Sequence, residues 1–116
     1  MMLRKSQYRA EYYENKHTKE APVQEYIDEL NENHQKKIFS FVNKLVEESG
    51  RLGWPHAEHI KDKIWQLRPG PHRLFYFIFT GERIILLHIF RKKSQKTPRR
   101  EIDRALNNYI DFINNH

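Results

Sequence analysis

"HRLFYFIFTGERIILLHIFR", residues 72–91, is the stretch on which the reading of the fold turns. Its first nine residues are rich in aromatic and branched side chains and read as a strand. Gly81-Glu82 then reads as a two-residue hairpin loop of the Gly-X kind. "RIILLHIF", residues 83–90, is apolar on both faces and reads as a central strand. Just upstream, "KIWQL" is an earlier strand that stops before Pro69 and Gly70. Strict alternation puts Ile84, Leu86, His88, Phe90 and Lys92 on one face of the last strand. It puts Arg83, Ile85, Leu87, Ile89 and Arg91 on the other.

Working outward, the period changes from 2 to 3.6. Pro22 suits the first turn of a helix, and Val23, Tyr26, Ile27 and Leu30 follow as one stripe. Ile38, Phe41, Val42, Leu45 and Val46 form a second stripe. The break at residues 31–33 makes the two a helical hairpin. Gly50 and Gly53 end the second helix and open a loop through Pro55. Residues 6–13, "SQYRAEYY", alternate weakly and read as a first strand, joining the sheet at an edge or beside the last hairpin strand. Thr97 is a good N-cap and Pro98 a good first helical residue. Ile102, Leu106, Tyr109, Ile110 and Ile113 then form the stripe of a last helix. The expected order is β-α-α-β-β-β-α: an α+β fold, a small antiparallel sheet with its helices packed on one face.

At 116 residues the chain fits one domain, residues 1–116. Charged residues make up 31% of it, yet 13% is aromatic and falls inside periodic segments, so the chain reads as folded and not disordered. Cysteine is absent. Disulfide and thiol chemistry are thereby excluded, and a reducing, cytoplasmic setting is compatible. The N-terminus has no apolar segment of the secretory kind, and "LFYFIF" and "IILLHIF" are too short to span a bilayer. The seven histidines show no metal-ligand spacing, so neither a metal nor another cofactor is expected.

The formal net charge is +6, and residues 91–104 alone carry a net +5. Such a local excess favours a polyanionic partner. In an antiparallel meander Arg68 and Arg73 flank one turn, and the last strand returns Arg91, Lys92 and Lys93 to the same rim. Five cations so gathered would repel by roughly 4 kcal/mol per pair at 4 Å for an effective dielectric near 20, which is tolerable where an anion is held. RNA carries its own nucleophile, the 2′-hydroxyl. Its cleavage needs a proton acceptor, a proton donor and positive charge on the crowded phosphorane. Arginine provides bidentate phosphate contacts, and a lysine among cations has a lowered pKa suited to proton transfer. Lys96, Arg99 and Arg100 extend the positive strip. His72 lies near the rim. Tyr76 could stack on a base or pack in the sheet. His88, between apolar neighbours, reads as a core histidine. A docking site for an acidic peptide would show the same charge.

Residues 64–106 resemble the HigB-like, phage-derived branch of the RelE/ParE toxin superfamily. The markers are "LRPGPHR", Leu67 to Arg73, an aromatic-rich hairpin, and "LHIFRKKSQKTP", Leu87 to Pro98. The helix pair matches the family layout as well. The resemblance implies a RelE/ParE-like fold and the toxin of a type II toxin–antitoxin module. Such toxins are commonly ribosome-dependent mRNA endoribonucleases (mRNA interferases) that need no metal. It implies a helix-turn-helix antitoxin and mRNA on the ribosome as partners, with no membrane. Carried over residue by residue, the basic site falls on Arg68, Arg73, Arg91, Lys92 and Lys93. Arg73 and Arg91 would hold phosphate, and Lys92 or Lys93 would move the proton. Two departures stand out. Ile89 replaces a small residue, and no catalytic histidine or terminal tyrosine stands out. The superfamily also includes toxins that poison gyrase without cleaving RNA, and an inactive antitoxin-binding module would keep the same pattern.

Overall fold

The computed structural model describes residues 7–116. Ser6, the first residue of the expected N-terminal strand, lies outside them. In chain order the elements are β1 (Arg9–Tyr12), α1 (Pro22–Asp28), α2 (Glu32–Glu47), β2 (Ala57–Lys61), β3 (Ile64–Leu67), β4 (His72–Phe79), β5 (Arg83–Arg91) and α3 (Arg99–Asn114). The five strands form one sheet in the order β1-β5-β4-β3-β2. Strands β2 to β5 are antiparallel neighbours, while β1 runs parallel to β5 at the edge. The expected α+β architecture is present, with one strand more than the sequence pattern indicated. Among the described residues no helix is long and apolar enough to cross a membrane.

The added strand is β2, "AEHIK", which the sequence pattern leaves unassigned. It is a polar edge strand, and it turns into β3 through Asp62 and Lys63 without a glycine. Asp62 itself takes the left-handed conformation, φ 53°, which Asp tolerates better than most residues. The β4–β5 connection also differs. Phe79 pairs with Arg83, so the loop has three residues, Thr80, Gly81 and Glu82, with both Gly81 and Glu82 at positive φ.

The helices lie on both faces of the sheet, not on one. On the first face α1 and α2 place Val23, Ile27, Ile38, Val42 and Leu45 against Leu67, Leu74, Tyr76, Ile84, Leu86 and Ile89. On the second, Ala105 and Phe112 of α3 cover Ile64, Phe75, Phe77, Ile85, Leu87 and Phe90. Burying each large apolar side chain contributes about 1.5–3 kcal/mol, so both layers are needed to cover a sheet that is apolar on each side. In α3 the buried line runs through Glu101, Ala105 and Phe112. Ile110 and Ile113, assigned from sequence to the buried stripe, are exposed instead.

One irregularity in β5 sets the geometry of everything downstream. Phe75 pairs with His88 but Tyr76 pairs with Leu86, so Leu87 is an extra residue. Such a bulge reverses the alternation beyond it. Ile85 and Leu87 face α3, and so do His88 and Phe90. Ile89 faces the helix pair.

Helix ends follow local chemistry. Asn31 caps α2 by accepting from the His34 N–H at 3.1 Å. At the other end Ser49 N–H bonds to Val46 O and Gly50 N–H to Leu45 O, a Schellman closure. Gly50 has φ 78°, and an added Cβ would lie 2.7 Å from Ile78 Cδ1. Gly50→Ala is therefore expected to lower stability by about 1–2 kcal/mol, read as a drop in the denaturation midpoint. α3 starts one residue later than its sequence suggests. Pro98 is the N-cap and makes no side-chain cap. The Thr97 hydroxyl donates instead to Gln66 Oε1 at 3.2 Å.

Candidate functional site

Arg68 follows β3, Arg73 lies in β4, and Lys92 and Lys93 follow β5. These four cations, with Pro71, Ser94 and Gln95, line one hollow of about 500 Å³ at the end of the sheet. The bulge explains the grouping. Arg73 pairs with Phe90 across the ladder and shares its face. Lys92, two residues beyond Phe90, comes to that face too. Its N–H donates to Pro71 O at 2.8 Å, which extends the ladder by one step.

Arg91 does not join them. It lies on the helix-pair face with Ile89, and its positive charge reaches Tyr26 and His72. The expected five-cation rim is thus a four-cation cleft, because one inserted residue exchanges the faces of Arg91 and Lys92. Arg91 lines a second hollow with Tyr26, His88, Lys93, Arg100 and Arg104.

Within the cleft Arg73 is held firmly. One terminal nitrogen donates to Gly70 O and to His72 O, each at 2.7 Å. Arg68 donates to Pro55 O at 3.1 Å. Its guanidinium carbon lies 4.0 Å from the centre of the Trp54 ring. Yet the Nε atoms of both arginines are buried with no hydrogen-bond partner. Buried donors of this kind normally carry a partner. The two guanidinium groups, with Lys92 and Lys93, give the hollow a positive lining suited to an anion. Burial lowers the Arg73 pKa, and the nearby Arg68 charge lowers it further. Burial likewise lowers the Lys92 pKa, followed by the charges of Arg73 and Arg68. Glu58 acts in the opposite sense on both. Its Oε1 accepts from Gln66 Nε2 at 2.9 Å, and Gln66 in turn accepts from Thr97. Glu58, Gln66 and Thr97 therefore form a polar chain bordering the cations.

The other sequence candidates fall elsewhere. Tyr76 is 1% exposed in the core under the helix pair, so it cannot stack on a base. His72 is fully buried on that same face. Its Nδ1 meets the Tyr26 hydroxyl and its Nε2 meets His34 Nδ1, both at 2.8 Å. It is a structural residue behind the cleft, not a contact at its rim. Lys96 is exposed, and its carbonyl accepts from the Ser94 hydroxyl. Arg99 is exposed in the first turn of α3, 4.0 Å from Asp103. Arg100 lies 3.6 Å from Glu101, beside the second hollow. His88 is a core histidine as expected, with Nε2 2.7 Å from Glu101 Oε1 and its ring stacked on Phe75. Ile89, in place of a small residue, fills the helix-pair core.

The sequence reading missed Glu58, Gln66, Thr97 and Trp54. Glu58 lies in a segment that the sequence pattern leaves unassigned. The signal for Gln66 was a polar residue inside an otherwise apolar strand. Nothing in the sequence ties Trp54 to Arg68, fourteen residues later.

A family model described as "Phage derived protein Gp49-like (DUF891)" matches residues 25–110. Among solved structures, the toxin–antitoxin complex RelBE2 from Mycobacterium tuberculosis contains a chain of similar fold, with a TM-score of 0.51. The match covers 76% of this chain and 99% of that one at 13% identity, so the likeness is one of fold. No curated protein matches the sequence.

Proposed function

The chain belongs to the family of phage-derived Gp49-like proteins, and from that footing we propose that it is the toxin of a type II toxin–antitoxin module, an endoribonuclease that cuts mRNA on the ribosome. The observation that carries the reading is the cleft itself. Two arginines and two lysines, drawn from three separate segments, line one hollow. The similar fold in a toxin–antitoxin complex supports it, as does the likeness of residues 64–106 to the HigB-like branch. A helix-turn-helix antitoxin is the proposed protein partner.

The proposed reaction uses the cleft and Glu58 beside it. The 2′-oxygen bonds to the adjacent phosphorus as the P–O5′ bond breaks, leaving a 2′,3′-cyclic phosphate and a 5′-hydroxyl. Arg73 and Arg68 hold the non-bridging oxygens, where charge grows in the transition state. Lys92, its pKa lowered, gives its proton to the departing 5′-oxygen. Glu58, whose field reaches both Arg73 and Lys92, takes the 2′-proton. Lys93 contacts the neighbouring phosphate.

The test is inducible expression with mapping of mRNA 5′ ends. Growth arrest with new 5′ ends inside translated codons is the expected result. Growth arrest with unbroken mRNA and broken DNA would replace this reading with gyrase poisoning. Undisturbed growth would leave only an antitoxin-binding module.

A further inference from the structure

We propose that Trp54 is a nucleobase-stacking platform at the edge of the cleft, a role that rests on the RNA reading above. Trp54 is 68% exposed, the most exposed of the large hydrophobic side chains among the described residues. It is also oriented. The Arg68 guanidinium lies over the indole at 4.0 Å. Arg68 is itself fixed by its bond to Pro55 O and by its N–H bond to His56 O at 2.9 Å. One face of the indole is thus covered by a cation that lines the phosphate-sized hollow. The other face is left to solvent.

That arrangement joins the two components of single-strand recognition. Cations track the backbone, and an aromatic face takes a base without reading its edges. Arg68 links them directly, because the same guanidinium borders the hollow and backs the indole. A nucleotide whose phosphate lies against Arg68 and Arg73 has a base within reach of the Trp54 ring. The substrate class that follows is unpaired RNA with a base turned away from its neighbours, and stacking of this kind tolerates any base. Tyr76, the aromatic that the sequence brings forward for this role, is sealed in the core.

The experiment uses the full chain and a fluorescein-labelled single-stranded hexanucleotide with 2′-deoxyriboses, which cannot be cleaved. Affinity is read by anisotropy at several salt concentrations for the parent, Trp54→Ala, Trp54→Phe and Arg73→Gln. Trp54 emission is followed separately in a Trp65→Phe background. The expected result is a loss of about 5- to 100-fold for Trp54→Ala, with a smaller loss for Trp54→Phe. The salt dependence should stay unchanged in both, and Trp54 emission should be quenched on binding. Arg73→Gln should instead flatten the salt dependence by about one unit of slope. Oligonucleotides with a single abasic position should bind the parent as weakly as the intact strand binds Trp54→Ala.

Tight binding by Trp54→Ala with unquenched Trp54 emission in the Trp65→Phe background would overturn the stacking role while leaving the RNA reading in place. Absence of binding by the parent would overturn this role, while the RNA reading stands or falls on the 5′-end mapping above. Should Trp54→Ala weaken only the antitoxin complex, the indole is a protein contact and the stacking role falls.

Discussion

Arg73→Gln is expected to reduce RNA cleavage by about 10²–10³-fold, the usual cost of losing one well-aimed donor to a transition-state oxygen. In cells, the variant should let growth continue under induction, and the new 5′ ends should vanish. The size of the effect comes from how the side chain is held. Two backbone carbonyls fix the guanidinium from one side, so its remaining donors are aimed before substrate arrives. Glutamine keeps much of the length and removes the charge. Arg73→Lys separates charge from geometry: it keeps the cation but cannot reproduce the planar fork. It should recover only a small part of the activity. Both variants lose the bonds to Gly70 O and His72 O, so denaturation midpoints must be measured beside the rates. A folded Arg73→Gln that still cuts at the parent's rate would remove Arg73 from the site.

The same residue shows what could be read from sequence and what could not. Helix stripes and strands were legible because one buried face imposes a period, and α2 and β3 to β5 fall close to where that period put them. β2 was not legible. A half-polar edge strand has no strong alternation, and its turn uses Asp62 where a glycine would have signalled a hairpin. The site was legible as a charge excess at the end of β5, but its membership was not. The bulge at Leu87 has no local signature, since every residue around it is apolar. It nevertheless decides that Lys92 and not Arg91 meets Arg73. The burial of His72 was hidden for a different reason. Its partners, Tyr26 and His34, lie in helices 46 and 38 residues away, and a histidine beside an arginine at a strand start otherwise looks solvated.

Lowering the pH should expose that hidden residue. His72 is fully buried, and its pKa is pushed down to about 4, first by burial and then by His34, Arg91 and Arg73. In the unfolded chain it titrates near 6.5. Above pH 6.5 both states are neutral and the group contributes no pH dependence. Below it the unfolded imidazole takes up a proton while the folded one does not, so stability falls until the pH nears 4. The share owed to His72 is about 2 kcal/mol between pH 7.5 and pH 5. His88, largely shielded from solvent, has a lowered pKa from the same cause and adds to the slope, so the parent's curve alone does not isolate His72. His72→Gln does. At pH 7.5 the variant should be less stable, by about 1–3 kcal/mol, because a buried hydroxyl or imidazole loses its partner. Its stability should then fall more slowly with acid, and the two curves should converge toward pH 5. Denaturant titrations at four pH values would show this, and parallel curves would refute it. The consequence reaches the cleft. The His72 carbonyl accepts from Arg73, while its ring fastens Tyr26 of α1 and His34 of α2. Charging the ring breaks the seat of the helix pair and of Arg73 together. Cleavage by the parent should therefore hold through mild acid and decline only as the pH nears 4, where the folded ring takes up its proton, and by less in His72→Gln relative to its own rate at pH 7.5.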